Sequence, residues 1–226
     1  MTTIRQELVT CALCGERTSV AQLNSTSSFG SPDLDLRPAE PARSSIFAWV
    51  QRCASCGYCA PSIEEETSYR QEIVASAAYR ALLADADLPE LARSFLCSSL
   101  IFEEFDEEAF AARNAIEAAW VCDDEKMPEG AVRCQLRALE RLRESEADGD
   151  ALCDDPYLEY AVIVDLLRRA GRFEDAVTEA DAALGEADGE VTAMLEFSRA
   201  RALARSCRPS EPAVRLAKSS GWHRTL

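Results

Sequence analysis

The feature that most constrains this chain is a cysteine turn written twice. Cys11-Ala12-Leu13-Cys14-Gly15 and Cys53-Ala54-Ser55-Cys56-Gly57 share the pattern C-x-x-C-G. Two thiolates three positions apart converge on one ion when the backbone between them folds tightly. A glycine after the second cysteine takes φ > 0 at little steric cost. Two such turns supply four soft, negative ligands, which suits tetrahedral Zn²⁺. Cys11, Cys14, Cys53 and Cys56 are therefore the predicted metal ligands. Four protein thiolates leave no position for water or substrate, so the site is expected to be structural. Its contribution is folding energy, because the surrounding segment buries too little apolar surface to stand alone.

Several alternatives stay open at the level of sequence. Iron fits the same sulfur geometry. A redox C-x-x-C pair is another use of the motif, although neither turn opens a helix in a clear β-α-β pattern. Cys56-Gly57-Tyr58-Cys59 is itself a C-x-x-C, so the second half-site is open to a shift by three. Cys53 with Cys56 is preferred because it keeps glycine after the second ligand in both halves. The long gap from Cys14 to Cys53 implies an insertion between the half-sites.

Charge narrows the function classes. The 226-residue chain carries a formal net charge of −16, which repels phosphate backbones and argues against general nucleic-acid binding. From Arg199 onward seven cations face one carboxylate, a net +6 that leaves −22 on the rest. This basic end is expected to fold back on the acidic body. No basic start leads into an apolar run, and no stretch approaches the ~18 apolar residues of a membrane span. Ten cysteines with this spacing fit a reducing, cytoplasmic setting better than a disulfide scaffold.

In chain order, residues 4–10 read as a short strand leading into the first turn, and Thr18 to Leu23 as a strand expected to pair with a later one. Residues 25–45 form a Ser- and Pro-rich loop. Inside it, Gly30-Ser31-Pro32-Asp33-Leu34-Asp35-Leu36-Arg37-Pro38 sets two carboxylates and a guanidinium between prolines. Asp33, Asp35 and Arg37 are a candidate ligand loop; the competing reading is a rigid loop in which Arg37 pairs with one of the two aspartates. Ile46 to Gln51 reads as a strand feeding the second turn.

The wording ELVTCALCGE, FGSPDLDLRP and WVQRCASCGYCAP, followed by helices, resembles the bacterial family known as domain of unknown function 2225. The resemblance covers most of the chain and is best over residues 7–61. It implies a four-cysteine zinc ribbon joined to tetratricopeptide-like helices. No activity is implied.

The rest of the chain has helical spacing. Ser68 with Gln71 makes a capping box for a helix through Ala84. Pro89 opens the next helix, and the acidic run 103–108 leads into another that carries Phe110 to Trp120. A helix from Pro128 through Leu142 is followed by an expected exposed connection over 145–150. Asp155-Pro156 then starts a helix closed by Gly171, with Phe173 to Leu184 as its partner and Val191 to about Ser206 as a cap. Small residues at Ala115, Ala118, Ala131, Ala138, Ala176 and Ala180 allow close helix pairing. Ala131 and Ala176 are equivalent points 45 positions apart, not the ~34 of a regular tetratricopeptide array.

The predicted fold class is thus α+β: a small β zinc ribbon over 1–62, a tetratricopeptide-like helical unit over 63–208 and a basic tail over 209–226. The expected function is a non-enzymatic interaction scaffold for a neutral to basic protein or peptide. The alternatives are a nucleic-acid-binding ribbon, or an enzyme using the Asp33, Asp35 and Arg37 loop. The single histidine, His223, removes His-based triads.

Overall fold

The computed structural model describes residues 2–65 and 70–209. The chain begins with a small antiparallel sheet and continues as mostly helices. Strands β1 (Thr3–Thr10) and β2 (Arg17–Ser25) pair from Thr10↔Arg17 outward, so residues 18–23 pair with the strand before them rather than a later one, because the tight cysteine turn brings the two together. The much shorter β3 (Gln51–Arg52) and β4 (Cys59–Ala60) pair through Arg52↔Cys59. Each pair encloses one cysteine turn, and both turns have the same length.

Residues 46–51 do not form the expected strand. Residues Arg43–Ala48 make a 3-10 turn, and extended pairing starts only at Gln51. Ser45, Ile46, Ala48, Trp49 and Val50 are all buried. A strand would turn alternate side chains to opposite faces, whereas helical winding puts this cluster on one side. It also lets the Trp49 indole N–H donate to Ser45 Oγ, one turn back, at 3.0 Å.

Eight helices complete the described chain: α1 (Arg70–Ala75), α2 (Ala77–Ala84), α3 (Glu90–Glu103), α4 (Glu108–Asp124), α5 (Pro128–Asp148), α6 (Pro156–Arg169), α7 (Phe173–Ala183) and α8 (Gly189–Leu203). The single helix expected through Ala84 is two. Its capping residue Ser68 lies outside the described residues. The break falls at Ser76, whose extended backbone ends α1 and whose hydroxyl accepts from Tyr79 N at 3.2 Å. Helix α5 runs through most of the expected connection to Asp148, because Glu144, Glu146 and Ala147 are good helix formers and Ser145 faces inward. Asp155 caps α6 by accepting from Tyr157 N at 2.9 Å, with Pro156 in the first turn.

From α3 onward, helices pack chiefly on their neighbours in sequence, and α8 also touches α6. The alanines singled out above are all buried at these seams. The buried core is continuous from Val9 in the hairpin to Ala202 in α8. Part of the basic end folds back. Arg199 pairs with Asp181 at 2.5 Å and Arg205 with Glu174 at 2.8 Å. The fully buried Arg168 donates to the carbonyls of Ser206 (2.6 Å) and Arg208 (2.9 Å) while pairing with Asp165 at 2.6 Å. Residues 210–226, with most of the tail and His223, lie outside the described residues.

The segment between α5 and α6 hangs on Glu159, a buried carboxylate that accepts from Leu152 N at 2.9 Å and Cys153 N at 3.3 Å. Burial pushes its pKa up, and those two N–H groups only partly offset the rise. The folded protein therefore holds a proton here more tightly than the unfolded chain. This carboxylate accordingly weakens the fold as pH rises from the unfolded value through the higher folded one. Glu159→Gln removes that dependence. Relative to the native protein, the variant should gain stability as pH rises from about 4 to about 7, read from urea midpoints. A stability difference that stays constant with pH would contradict this.

Candidate metal centre

The two cysteine turns are built alike. Gly15 N donates to Cys11 O and Gly57 N to Cys53 O, both at 2.9 Å. Cys11 N then bonds Glu16 O at 3.0 Å, and Cys53 N bonds Tyr58 O at 2.8 Å, which closes each loop. Gly15 (φ 74) and Gly57 (φ 79) sit in the left-handed region where a side chain is strained. The repeated pattern is thus a repeated conformation that turns both sulfurs of each half to one side.

The halves meet. Cys11 Sγ lies 3.7 Å from Cys56 Sγ, and Cys14 Sγ lies 3.6 Å from Cys53 Sγ. All four sulfurs fall within 4.8 Å of one another. Metal–sulfur bonds of about 2.3 Å at tetrahedral angles set sulfurs about 3.8 Å apart, so the donor set fits one tetrahedral ion. The separations are far from a disulfide, and all four thiols are free. Cys59 does not join them. It is buried, its Sγ hydrogen-bonds Gly57 O at 3.4 Å, and its neighbours are Tyr79 and Cys97. The half-site is therefore Cys53 with Cys56.

Electrostatics separates Cys53 from Cys11 and Cys56. Burial pushes Cys53 up. The Cys56 N–H, the Thr18 hydroxyl (3.5 Å) and the Ser55 N–H outweigh it and bring the thiol down to about 6. Burial raises Cys11 and Cys56, and neighbouring sulfurs add to the effect. Crowded anions repel, so a thiolate at Cys53 disfavours one at Cys11 or Cys56, and a bound cation would compensate that repulsion.

The second turn is also clamped to the helices. Tyr79 is fully buried; its hydroxyl donates to Gly57 O (3.0 Å) and accepts from Cys59 N (2.9 Å). Arg80 donates to Cys56 O at 2.9 Å. A Cβ placed on Gly57 would come 2.5 Å from Leu83 Cδ2. The first turn is tied in by Ala12 N bonding Ile63 O at 2.9 Å.

Asp33, Asp35 and Arg37 lie apart from the sulfurs, against helices α4 and α6. Asp35 is only 2 % exposed. It accepts from the Trp120 indole N–H at 2.7 Å and pairs with Arg169, which also pairs with Asp123. Arg37 grips Asp124 with both terminal nitrogens, at 3.0 and 2.5 Å, rather than either loop aspartate. Asp33 pairs instead with Arg43 at 2.6 Å. Between Asp35 and Arg37, the buried Leu36 sits at φ 64. That conformation costs an L-residue about 1–2 kcal/mol, and the ion pairs on both sides hold it. These groups line a cleft of about 490 Å³. Every charged side chain named there faces an opposite charge within the protein, so the loop works as a strap from the hairpin unit to the helices. Trp120, Asp124 and Arg169 carry no sequence signal for holding Asp35 and Arg37, which lie 85 or more positions away, and Asp123 lies 46 positions from its partner Arg169.

Two outcomes are expected. Cys14→Ser or Cys56→Ser should lower bound metal in elemental analysis and speed hydrogen exchange in β1, β2 and both turns, while leaving most helical circular dichroism. Unchanged metal content in both variants would refute the ligand set. Arg169→Ala takes the counter-charge from the buried Asp35 and the partly exposed Asp123 and should cost about 3–5 kcal/mol in urea unfolding. A loss near that of an exposed ion pair would show that the strap is dispensable. Compared with known proteins, the chain matches no family model, no curated protein and no solved structure.

Proposed function

We propose that this protein is a non-enzymatic interaction scaffold in which a structural zinc ion in the four-cysteine cluster stiffens a small β unit against a helical stack. The supporting observation is the convergence of four sulfurs from two identical turns. Such a site is closed to substrate, so its work is mechanical. Zinc is preferred to iron because nothing else in the chain suggests electron transfer.

The helical part supports a tetratricopeptide-like reading. Helices α3 to α8 pack on their sequence neighbours through buried alanines, and α6 contacts both α7 and α8. Stacked helices of this kind present an extended surface to a peptide. Among residues 1–62 five arginines face five carboxylates. Arg37, Arg43 and Arg52 are already in ion pairs, which disfavours nucleic acid at the ribbon. The likeness to domain of unknown function 2225 and a reducing, cytoplasmic setting belong to the same reading. Among the described residues no helix is long and apolar enough to cross a membrane.

Elemental analysis of purified protein should find one zinc per chain, in a colourless solution. Visible charge-transfer bands would assign iron instead. Affinity purification with cross-linking in the source cells should join a protein partner to the helical unit. Cross-links to nucleic acid alone, or none to any protein, would overturn the scaffold reading.

A further inference from the structure

We infer that the outer edge of β1 pairs antiparallel with the same edge of a second copy, joining two hairpins into one sheet. The inference goes beyond the scaffold reading and does not depend on it. Strand β1 runs 8 residues, from Thr3 to Thr10, and pairs with β2 alone. Among the described residues, no backbone group in it bonds outside the hairpin. Edges of this kind are normally kept short or blunted by Pro, Lys or a bulge. The strand TIRQELVT contains neither Pro nor Lys. The register shifts between Thr3↔Ser25 and Ile4↔Leu23, so the extra residue, Asn24, lies in β2 and β1 itself stays regular. Only Val9 of β1 is buried, and Leu8 is 53 % exposed.

The hairpin fixes which backbone groups face outward. Cys11 N donates to Glu16 O at 3.0 Å, so the step next to Thr10↔Arg17 is a hydrogen-bonded one. Antiparallel steps alternate between bonded and non-bonded pairs. Val9, Glu7 and Arg5 therefore turn their N–H and C=O groups toward β2. Leu8, Gln6 and Ile4 turn theirs toward the open edge. Two identical edges close on each other about a two-fold axis, and outward groups must meet outward groups. An axis at Gln6 does this. It sets Gln6 opposite Gln6 of the second copy, and Ile4 opposite Leu8.

The side chains select that register. It brings Arg5 of each copy opposite Glu7 of the other, at non-bonded steps where side chains lie closest. Inside the hairpin the cross-strand neighbours of Arg5 and Glu7 are the uncharged Gln22 and Val20. On the other face the exposed Leu8 meets Ile4. Moving the axis to Glu7 sets Glu7 against Glu7, and moving it to Arg5 sets Arg5 against Arg5. Like charges directly opposite are destabilising. An axis between two residues aims outward groups at groups already turned to β2. Apart from the cysteines, the charged side chains of residues 1–25 are Arg5, Glu7, Glu16 and Arg17, which cancel. The edge thus escapes much of the repulsion between two bodies of net charge −16. An edge of this length buries less than about 1,200 Å², which makes the association weak and reversible.

The test follows the full-length, metal-loaded protein by sedimentation equilibrium over a concentration series. The native chain should show a monomer–dimer equilibrium. Amide exchange at Ile4, Gln6 and Leu8 should slow as concentration rises, while Arg5 and Glu7, already bonded to β2, stay unchanged. Arg5→Glu and Glu7→Arg should each raise the dimer dissociation constant about tenfold or more, since both attractive pairs become repulsive. Mixed together, the two variants should associate again, because each supplies the charge the other lacks. Gln6→Pro removes an N–H that the hairpin does not use and should abolish association, with metal content showing that the hairpin survives. If that variant loses metal, the mixing experiment decides alone. A native chain that stays monomeric across the series would overturn the proposal. So would charge variants that dimerise like the native chain, a mixture no tighter than its components, or association that leaves the three amides unprotected. The scaffold reading is judged separately, by cross-links to the helical unit.

Discussion

Four sulfur atoms drawn from two turns, with Cys14 and Cys53 39 positions apart, share one small volume. In a hairpin unit this small, burial alone supplies little to offset chain entropy. Convergence of the sulfurs closes a long loop, and a cation bound there would compensate their mutual repulsion and supply the missing free energy. The hydrogen-bonded turns hold the sulfurs at tetrahedral spacing before any ion is counted. Thr18 and the backbone N–H groups around Cys53 already favour one thiolate.

The same centre is locked to the helical part of the chain. Tyr79 and Arg80 reach the carbonyls of the second turn, and Leu83 sits against Gly57. On the other side of the hairpin unit, residues 33–37 strap it to α4 and α6 through Asp35, Arg37 and Arg169. Buried ion pairs add little net stability compared with apolar packing, yet they penalise any arrangement that leaves one charge alone. Their effect here is on orientation: the strained Leu36 is tolerated because both neighbours are anchored. The hairpin and the helices thus meet along one continuous core, with the long loop wrapped across the junction.

Much of this architecture is legible in the sequence, and the departures from it are physically consistent. Cysteine spacing, capping residues and alanine-rich helix faces are local signals, and the turns, α6 and α7 arise from them. The 3-10 turn at Arg43–Ala48 reads as a strand in sequence because Ile46, Phe47, Trp49 and Val50 favour β structure. Packing overrides that preference by burying a contiguous cluster. Likewise the acidic run 145–150 has the composition of a connection, but Ser145 finds a buried seat and the helix continues to Asp148.

The amino-acid order by itself determined the ligand chemistry, the class of fold and the start of several helices, because each depends on residues within one or two turns of each other. Tertiary structure alone decided the rest. It excluded Cys59 from the sulfur cluster and turned Asp35 and Arg37 away from solvent and onto partners 134 and 87 positions distant. Those outcomes rest on contacts between segments far apart in the chain. No local pattern encodes them, since their free energy arises only when distant surfaces exclude water from each other.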